Sequence, residues 1–182
     1  NIYLPKTIEF SELITQLIAE DIRNINNPRI MLTGGNSIRQ LYRYWNRKNC
    51  WNEEVYDYFF TDERCVPKDN ILSNYNMTMK NLFLNIDKNN LNINRIEGDA
   101  SDIEKECLRY AKLIESGIDL LLLSVGEDGH IASIFPNSTL VNEKQDFVSF
   151  DLDSNGLGRI SITPKAINLC KHKYLIALGE KK

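Results

Sequence analysis

The sequence predicts a doubly wound α/β domain, a mainly parallel sheet with helices on both faces. Three observations point that way. Helical and strand patterns alternate along the chain. The run IDLLLLSV at 118–125 is apolar throughout and of strand length, as expected of a strand covered on both faces. No internal repeat, low-complexity tract or linker breaks the pattern, so a single domain over residues 1–182 is expected.

The elements follow in order. TIEFSELITQLIAEDIR (7–23) places Leu13, Ile14, Leu17, Ile18 and Ile22 on one helical stripe. PRIML reads as a short buried strand that runs into the glycine loop TGGNS. SIRQLYRYW then sets Ile38, Leu41, Tyr42 and Trp45 at i, i+3, i+4 and i+7, with Ser37 as the expected N-cap. VYDYFF is a second strand, ending at TDER. SNYNMTMKNLFLNI reads as a helix and INRIEG as a short strand. SDIEKECLRYAKLIES is an amphipathic helix with Ile103, Cys107, Tyr110, Ala111 and Ile114 inward. After IDLLLLSV and a less regular stretch, DFVSFD and RISIT read as strands. A Pro-started helix and the strand HKYLIALG complete the pattern.

Composition narrows the function classes. A formal charge of -3 and a pI near 5.5 argue against nucleic acid or a membrane surface as the main partner. They leave room for a small anion, which a local basic cluster can hold on an acidic protein. No apolar stretch is long enough to span a bilayer, and the N-terminus lacks the form of a signal peptide. The chain opens on Asn1 rather than Met, as a trimmed chain would. Cys50, Cys65, Cys107 and Cys170 are far apart with no C-x-x-C pair, which fits reduced thiols in the cytoplasm rather than a disulfide framework or a zinc site.

In doubly wound folds ligands sit beyond the carboxyl ends of the strands. TGGNS, TDER and GEDGH each follow directly from such an end, so parallel strands would bring all three to one rim. Gly34 and Gly35, before a helix N-terminus, can turn the N–H groups of Asn36 and Ser37 toward an anion such as phosphate. There is no nucleotide P-loop and no dinucleotide fingerprint, and the same spacing also suits a plain glycine turn with a Ser cap. Asp62, Glu63 and Arg64 suit either a solvated strand exit or a ligand-facing rim. In GEDGH, Gly126 and Gly129 permit a tight turn in which Asp128 orients His130, and a histidine so placed can take a proton near neutral pH. The structural alternative is a histidine packed beneath a following IASIF helix.

LTGGNSIRQLY, FFTDERCVPKDNILSNYNM, LLLLSVGEDGHIASIFPNS and RISITPKAINLCKHKYLIALGEKK, in that order and over nearly the whole chain, together resemble the 6-phosphogluconolactonase family. Glucosamine-6-phosphate deaminases share the fold, the GG loop and the D-G-H motif. Their pattern, however, carries Asp-Glu-Tyr where this chain has Asp62-Glu63-Arg64, and continues with Phe-Asn-Glu-Pro where this chain has Ser133-Ile134-Phe135-Pro136. Two features depart from the lactonase pattern. The GG loop goes on as Asn-Ser-Ile where the family more often has Ser or Thr then Pro. The chain also ends at Lys182, where the family domain continues through further elements.

The resemblance implies hydrolysis of 6-phosphoglucono-δ-lactone, a small sugar phosphate, to 6-phosphogluconate in the oxidative pentose phosphate pathway. It implies phosphate binding by Gly34, Gly35, Asn36 and Ser37, with countercharge from Arg159 and Lys182. His130 is the expected base, oriented by Asp128. Arg64 is expected to stabilise the oxyanion or hold the ring, and Asp62 to bind ring hydroxyls. Positioned proton transfer supplies roughly 10²- to 10⁴-fold, and the lactone is already a reactive ester. No metal, cofactor or covalent nucleophile is therefore expected. Ser124 and Ser133 lie near the histidine without a G-x-S-x-G order. The expected location is the cytoplasm, with glucose-6-phosphate dehydrogenase as the enzyme to which the chain is fused or beside which it acts. Two other classes remain open at this stage, a sugar-phosphate isomerase or deaminase using Asp62 on carbon, and a silent sugar-phosphate-binding module.

Overall fold

The computed structural model describes residues 7–50, 56–87 and 91–178. The elements are α1 (Thr7–Ile22), β1 (Arg29–Leu32), α2 (Asn36–Lys48), β2 (Asp57–Phe60), β3 (Asp62–Arg64), α3 (Asn74–Asn81) and β4 (Asn92–Ile93). They continue with α4 (Ile103–Ile114), β5 (Leu120–Ser124), a 3₁₀ turn (Thr139–Asn142), β6 (Val148–Leu152), β7 (Gly158–Ile162), α5 (Pro164–Leu169) and β8 (His172–Ile176). Five strands form a parallel sheet in the order β4-β2-β1-β5-β8. The expected α/β architecture is present.

The period of two in the strands divides the core into two layers. Ile30 and Leu32 of β1, with Leu120 and Leu122 of β5, face α1, α2 and α3. Met31, Leu121 and Leu123 face α4, α5 and a second sheet. The helices present the stripes the spacing predicts: Ile14, Ile18 and Ile22 on α1, and Ile38, Leu41, Tyr42 and Trp45 on α2, are all buried. Ser73 caps α3 by accepting from Asn76 N–H, and Asp102 caps α4 by accepting from Lys105 N–H.

Several expectations need correcting. TDER is not only a loop, because Asp62–Arg64 form β3, which pairs antiparallel with β7, and β7 pairs with β6. RISIT and DFVSFD therefore build a separate three-stranded sheet rather than extending the parallel one. Ser37 is not the cap of α2: the helix starts at Asn36, two residues before the start a Ser37 cap would set, and Gly35 takes the cap position with a φ of 104°. The IASIF segment is no helix, since Ile131 bridges to both Val125 and Ile134. Of INRIEG (93–98) only Ile93 joins the ladder, as the last residue of β4, and the helix expected over 73–86 stops at Asn81.

Two buried tyrosines hold strand backbone where the strands hand over to their loops. The Tyr42 hydroxyl on α2 accepts from Thr33 N–H at 3.1 Å and donates to Thr33 C=O at 3.0 Å. The Tyr110 hydroxyl on α4 does the same for Phe60, at 2.6 and 2.9 Å. Burial pushes both phenols far above the ordinary tyrosine range, so both remain neutral hydroxyls that donate as well as accept. Replacing either by phenylalanine strands a buried N–H and C=O. Tyr42→Phe and Tyr110→Phe should each lower stability by about 1–3 kcal/mol in urea denaturation. An unchanged midpoint would show that these hydroxyls are dispensable.

Candidate active site

The three strand-end loops do converge. Gly35, Asn36, Ser37, Arg64, Gly126 and His130 line one cleft of about 370 Å³, together with Ser124 and Gln40. Clefts of about 550 and 610 Å³ lie between α2 and α3 and at the amino ends of the parallel strands. Both hold none of the residues singled out by the strand-end argument. The smaller cleft is the candidate site on chemistry and topology rather than size.

Its first wall is the N-terminus of α2. No side chain caps that helix and no acidic residue lies in its first turn, so no side-chain charge offsets the positive end of its dipole. The loop before it is rigidly set. Ser124 Oγ donates to Gly34 C=O at 2.8 Å, and a methyl on Gly34 would meet Asn74 Oδ1 at 2.1 Å.

The second wall is Arg64. Its Nη1 donates to the Leu72 carbonyl, while its Nε is a buried donor without a partner among the described residues. Burial pushes the guanidinium below its ordinary pKa; Asp62 opposes that shift and Arg159 adds to it. Glu63 points elsewhere. Its buried carboxylate accepts from the N–H groups of Asn74 and Tyr75 at 2.7 and 2.9 Å and from Ser73 Oγ at 2.9 Å, gripping the start of α3. Burial pushes the Glu63 carboxyl up, against these hydrogen bonds and one from Arg64 N–H.

The third wall is the turn after β5. His130 folds back so closely that a methyl on Gly126 would lie 2.2 Å from its ring and 2.7 Å from Asp128 Oδ1. Only glycine leaves room for the pair. His130 Nδ1 lies 2.5 Å from Asp128 Oδ1, and Phe135 packs against the ring with centroids 5.0 Å apart. Among the described residues Nε2 has no hydrogen-bond partner. Burial would raise the Asp128 carboxyl, but the hydrogen bonds from His130 outweigh it and hold the group below the ordinary carboxylate range. His130 is thus a cleft residue and not one packed beneath a helix.

Not every expected residue lines the cleft: Gly34, with its carbonyl held by Ser124 Oγ, and Asp128, bonded to His130, are not among the lining residues. Asp62 is 4% exposed and lies beneath it, with its carboxylate oxygens taken by Thr61 Oγ1 at 2.9 Å and Ser133 Oγ at 2.7 Å. Arg159 is opposite Arg64 in the β3–β7 register but is engaged by Asp153, at 2.7 Å from Nη2. Lys182 lies outside the described residues. Residue reasoning passed over the roles of Ser124, Asn74 and Glu63, whose only signals are their places at a strand end, after TDER and within it. The four cysteines are free thiols. Among the described residues no helix is long and apolar enough to cross a membrane, and no group of three or more His, Cys, Asp or Glu side chains is placed to hold a metal ion.

A 6-phosphogluconolactonase of Treponema pallidum is 30% identical over 165 residues, covering 84% of this chain and 68% of that protein. One of Borreliella burgdorferi is 33% identical over 159 residues, covering 82% of this chain and 67% of that protein. The chain thus spans about two thirds of the length of these relatives. The solved 6-phosphogluconolactonase of Trypanosoma cruzi superposes with a TM-score of 0.83 at 28% identity, over 100% of this chain and 80% of that one. The model of the family described as glucosamine-6-phosphate isomerases/6-phosphogluconolactonase matches residues 7–182, and the chain belongs to that family.

Proposed function

We propose that this chain hydrolyses 6-phosphoglucono-δ-lactone to 6-phosphogluconate, with His130 activating the attacking water. One observation carries the reading: the Asp128–His130 pair stands on a cleft whose other walls are an uncapped helix N-terminus and the Arg64 guanidinium. The names of the relatives favour the lactonase over other members of the family.

The chemistry runs through these groups in order. The phosphate sits on the N–H groups of Gly35, Asn36 and Ser37 at the start of α2. Arg159 acts only through the positive field it adds beside Arg64, and Lys182 remains a second cation on sequence grounds. Asp128, held ionised, keeps the shared proton on Nδ1 and leaves the lone pair on Nε2. Nε2 takes a proton from water as the water oxygen attacks the lactone carbonyl carbon. Negative charge gathers on the carbonyl oxygen, against Arg64. Collapse of the tetrahedral intermediate breaks the bond to the ring oxygen, which takes the proton back from Nε2. The new carboxylic acid then ionises into solvent. Since the lactone is a reactive ester, none of these steps calls for a metal. The same reading places the chain in the cytoplasm, fused to or acting beside glucose-6-phosphate dehydrogenase.

The deaminase alternative requires Asp62 to move a proton on carbon. Engagement of both its oxygens by Ser133 and Thr61 weighs against that role. A silent binding module has no use for the oriented histidine.

Two measurements test the reading. His130→Asn should lower kcat by a factor of roughly 10² or more in a coupled assay with freshly generated lactone, the spontaneous rate being subtracted at every pH. Full activity in the folded variant refutes the mechanism, and turnover of glucosamine 6-phosphate by the parent would move the assignment to the deaminases. Gly35→Ala forces a left-handed backbone on alanine and brings its methyl to 3.0 Å from Ser124 Oγ. It should raise KM for the phosphorylated lactone about 10- to 100-fold, the worth of one or two charge-assisted hydrogen bonds, while hardly changing hydrolysis of the unphosphorylated lactone. Equal losses on both substrates would place the phosphate elsewhere.

A further inference from the structure

We propose that Asp62 and Ser133 are a pair of positioning residues that hold the His130 turn in place, and that Asp62 acts through Ser133 rather than on substrate. The inference rests on the reading of His130 as the base, and it follows from a buried polar network directly beneath the cleft.

The network joins the loops that build the site. Asp62 Oδ2 accepts from Ser133 Oγ at 2.7 Å, and Asp62 Oδ1 lies 2.9 Å from Thr61 Oγ1. Thr61 Oγ1 in turn lies 3.1 Å from Thr33 Oγ1, at the end of β1. Ser133 N–H donates to Ser161 Oγ of β7 at 3.1 Å, and the Asp62 carbonyl accepts from Asn74 Nδ2 at 2.9 Å. Thr33, Thr61, Asp62, Asn74, Ser133 and Ser161 are all buried. A buried carboxylate is costly unless its oxygens are satisfied, and here two side-chain hydroxyls satisfy it.

The strained point of the turn lies next to this anchor. Ala132 has a φ of 53°, a left-handed conformation with no Asn or Gly side-chain preference to favour it. Such a conformation persists only where the surroundings over-determine it. On one side of Ala132, Gly126 N–H donates to the His130 carbonyl at 2.8 Å and Ile131 bridges to Val125. On the other side, Ser133 is tied through both its N–H and its hydroxyl. Ile134 N–H also donates to the Ile131 carbonyl at 2.9 Å, which closes the turn over Ala132 and Ser133, and the two Ser133 ties fix that closed turn to Asp62 and β7 and so set the His130 ring over Gly126.

Kinetics on the two partners singly and together test the pair, using the full chain. Ser133→Ala should lower kcat about tenfold or more with KM changed by less than about twofold, since displacement of a catalytic group by about 1 Å can cost on the order of 10²-fold. Asp62→Asn should do likewise, and the double variant should be no worse than the more damaged single variant, because both remove one interaction. Ser161→Ala loosens the same segment without disturbing the carboxylate, and should show a smaller loss of the same kind even if Ser133→Ala fails to fold. Ring-nitrogen NMR signals should move for His130 and stay fixed for His172. Losses that multiply in the double variant, or unmoved His130 signals in folded Ser133→Ala or Ser161→Ala, overturn the pair. The NMR arm reads positioning whether or not the lactone is the substrate, and His130→Asn separately judges the base.

Discussion

Thr61 joins two sheets of opposite kind, and the site depends on that junction. Its N–H donates to Leu32 C=O at 2.8 Å, continuing the parallel pairing of β2 with β1. Its carbonyl accepts from Ile162 N–H at 2.8 Å, opening the antiparallel sheet. Its hydroxyl reaches Thr33 and Asp62. One residue therefore satisfies backbone and side-chain groups on both sides of a seam that would otherwise bury orphaned polar atoms. Because β3 leaves the parallel sheet there, Arg64 is carried to the cleft on a strand rather than on a free loop. The guanidinium so placed has a backbone held by β7 and by the Glu63 grip on α3.

The acidic residues near the cleft explain how a chain of net negative charge presents a local site for an anion. Four of these carboxylates have another task, while Glu127 is itself exposed on the cleft lining. Asp62 ties Ser133, Glu63 grips the start of α3, Asp128 holds His130, and Asp153 engages Arg159. The anion-binding groups that face the cleft are an uncapped helix N-terminus and Arg64, with the exposed carboxylate of Glu127 on the same lining. At short range those groups outweigh the overall charge, since interactions between exposed charges are screened beyond about 8–10 Å in ordinary salt.

Whatever depends on local periodicity was legible in the sequence. The stripes of α1, α2 and α4, the two-sided burial of β5 and the meeting of three strand ends all follow from spacing and from the rule for parallel sheets. The second sheet was not, because β3 consists of three charged residues and its partner is distant in sequence. No local preference marks such a strand; only the pairing with β7 makes it one. The same blindness displaced Asp62. A charge at a strand end looks like a rim residue until the partner strand and Ser133 are known, and a strand places neighbouring side chains on opposite faces. The cap of α2 moved from Ser37 to Gly35 for another reason. Serine has the better capping side chain, yet the tight turn after β1 needs a positive φ at residue 35, and only glycine takes that without strain.

The left-handed residues separate fold requirements from site requirements. Asn27 takes the left-handed region in a turn and Asn49 takes it as the C-cap of α2, positions where asparagine is tolerated and the conformation serves the fold. Ala132 has no such excuse, and it sits two residues after the histidine and one before the buried serine. Gly35 and Gly129, also at positive φ, flank the same cleft. Strain confined to the loops and absent from the strands beneath is the pattern of a rigid scaffold holding a few groups in positions they would not adopt alone. A site built this way gives up some stability for fixed geometry. The polar network under the cleft is where that cost is met: with its donors and acceptors paired, the backbone above it has few other conformations to relax into.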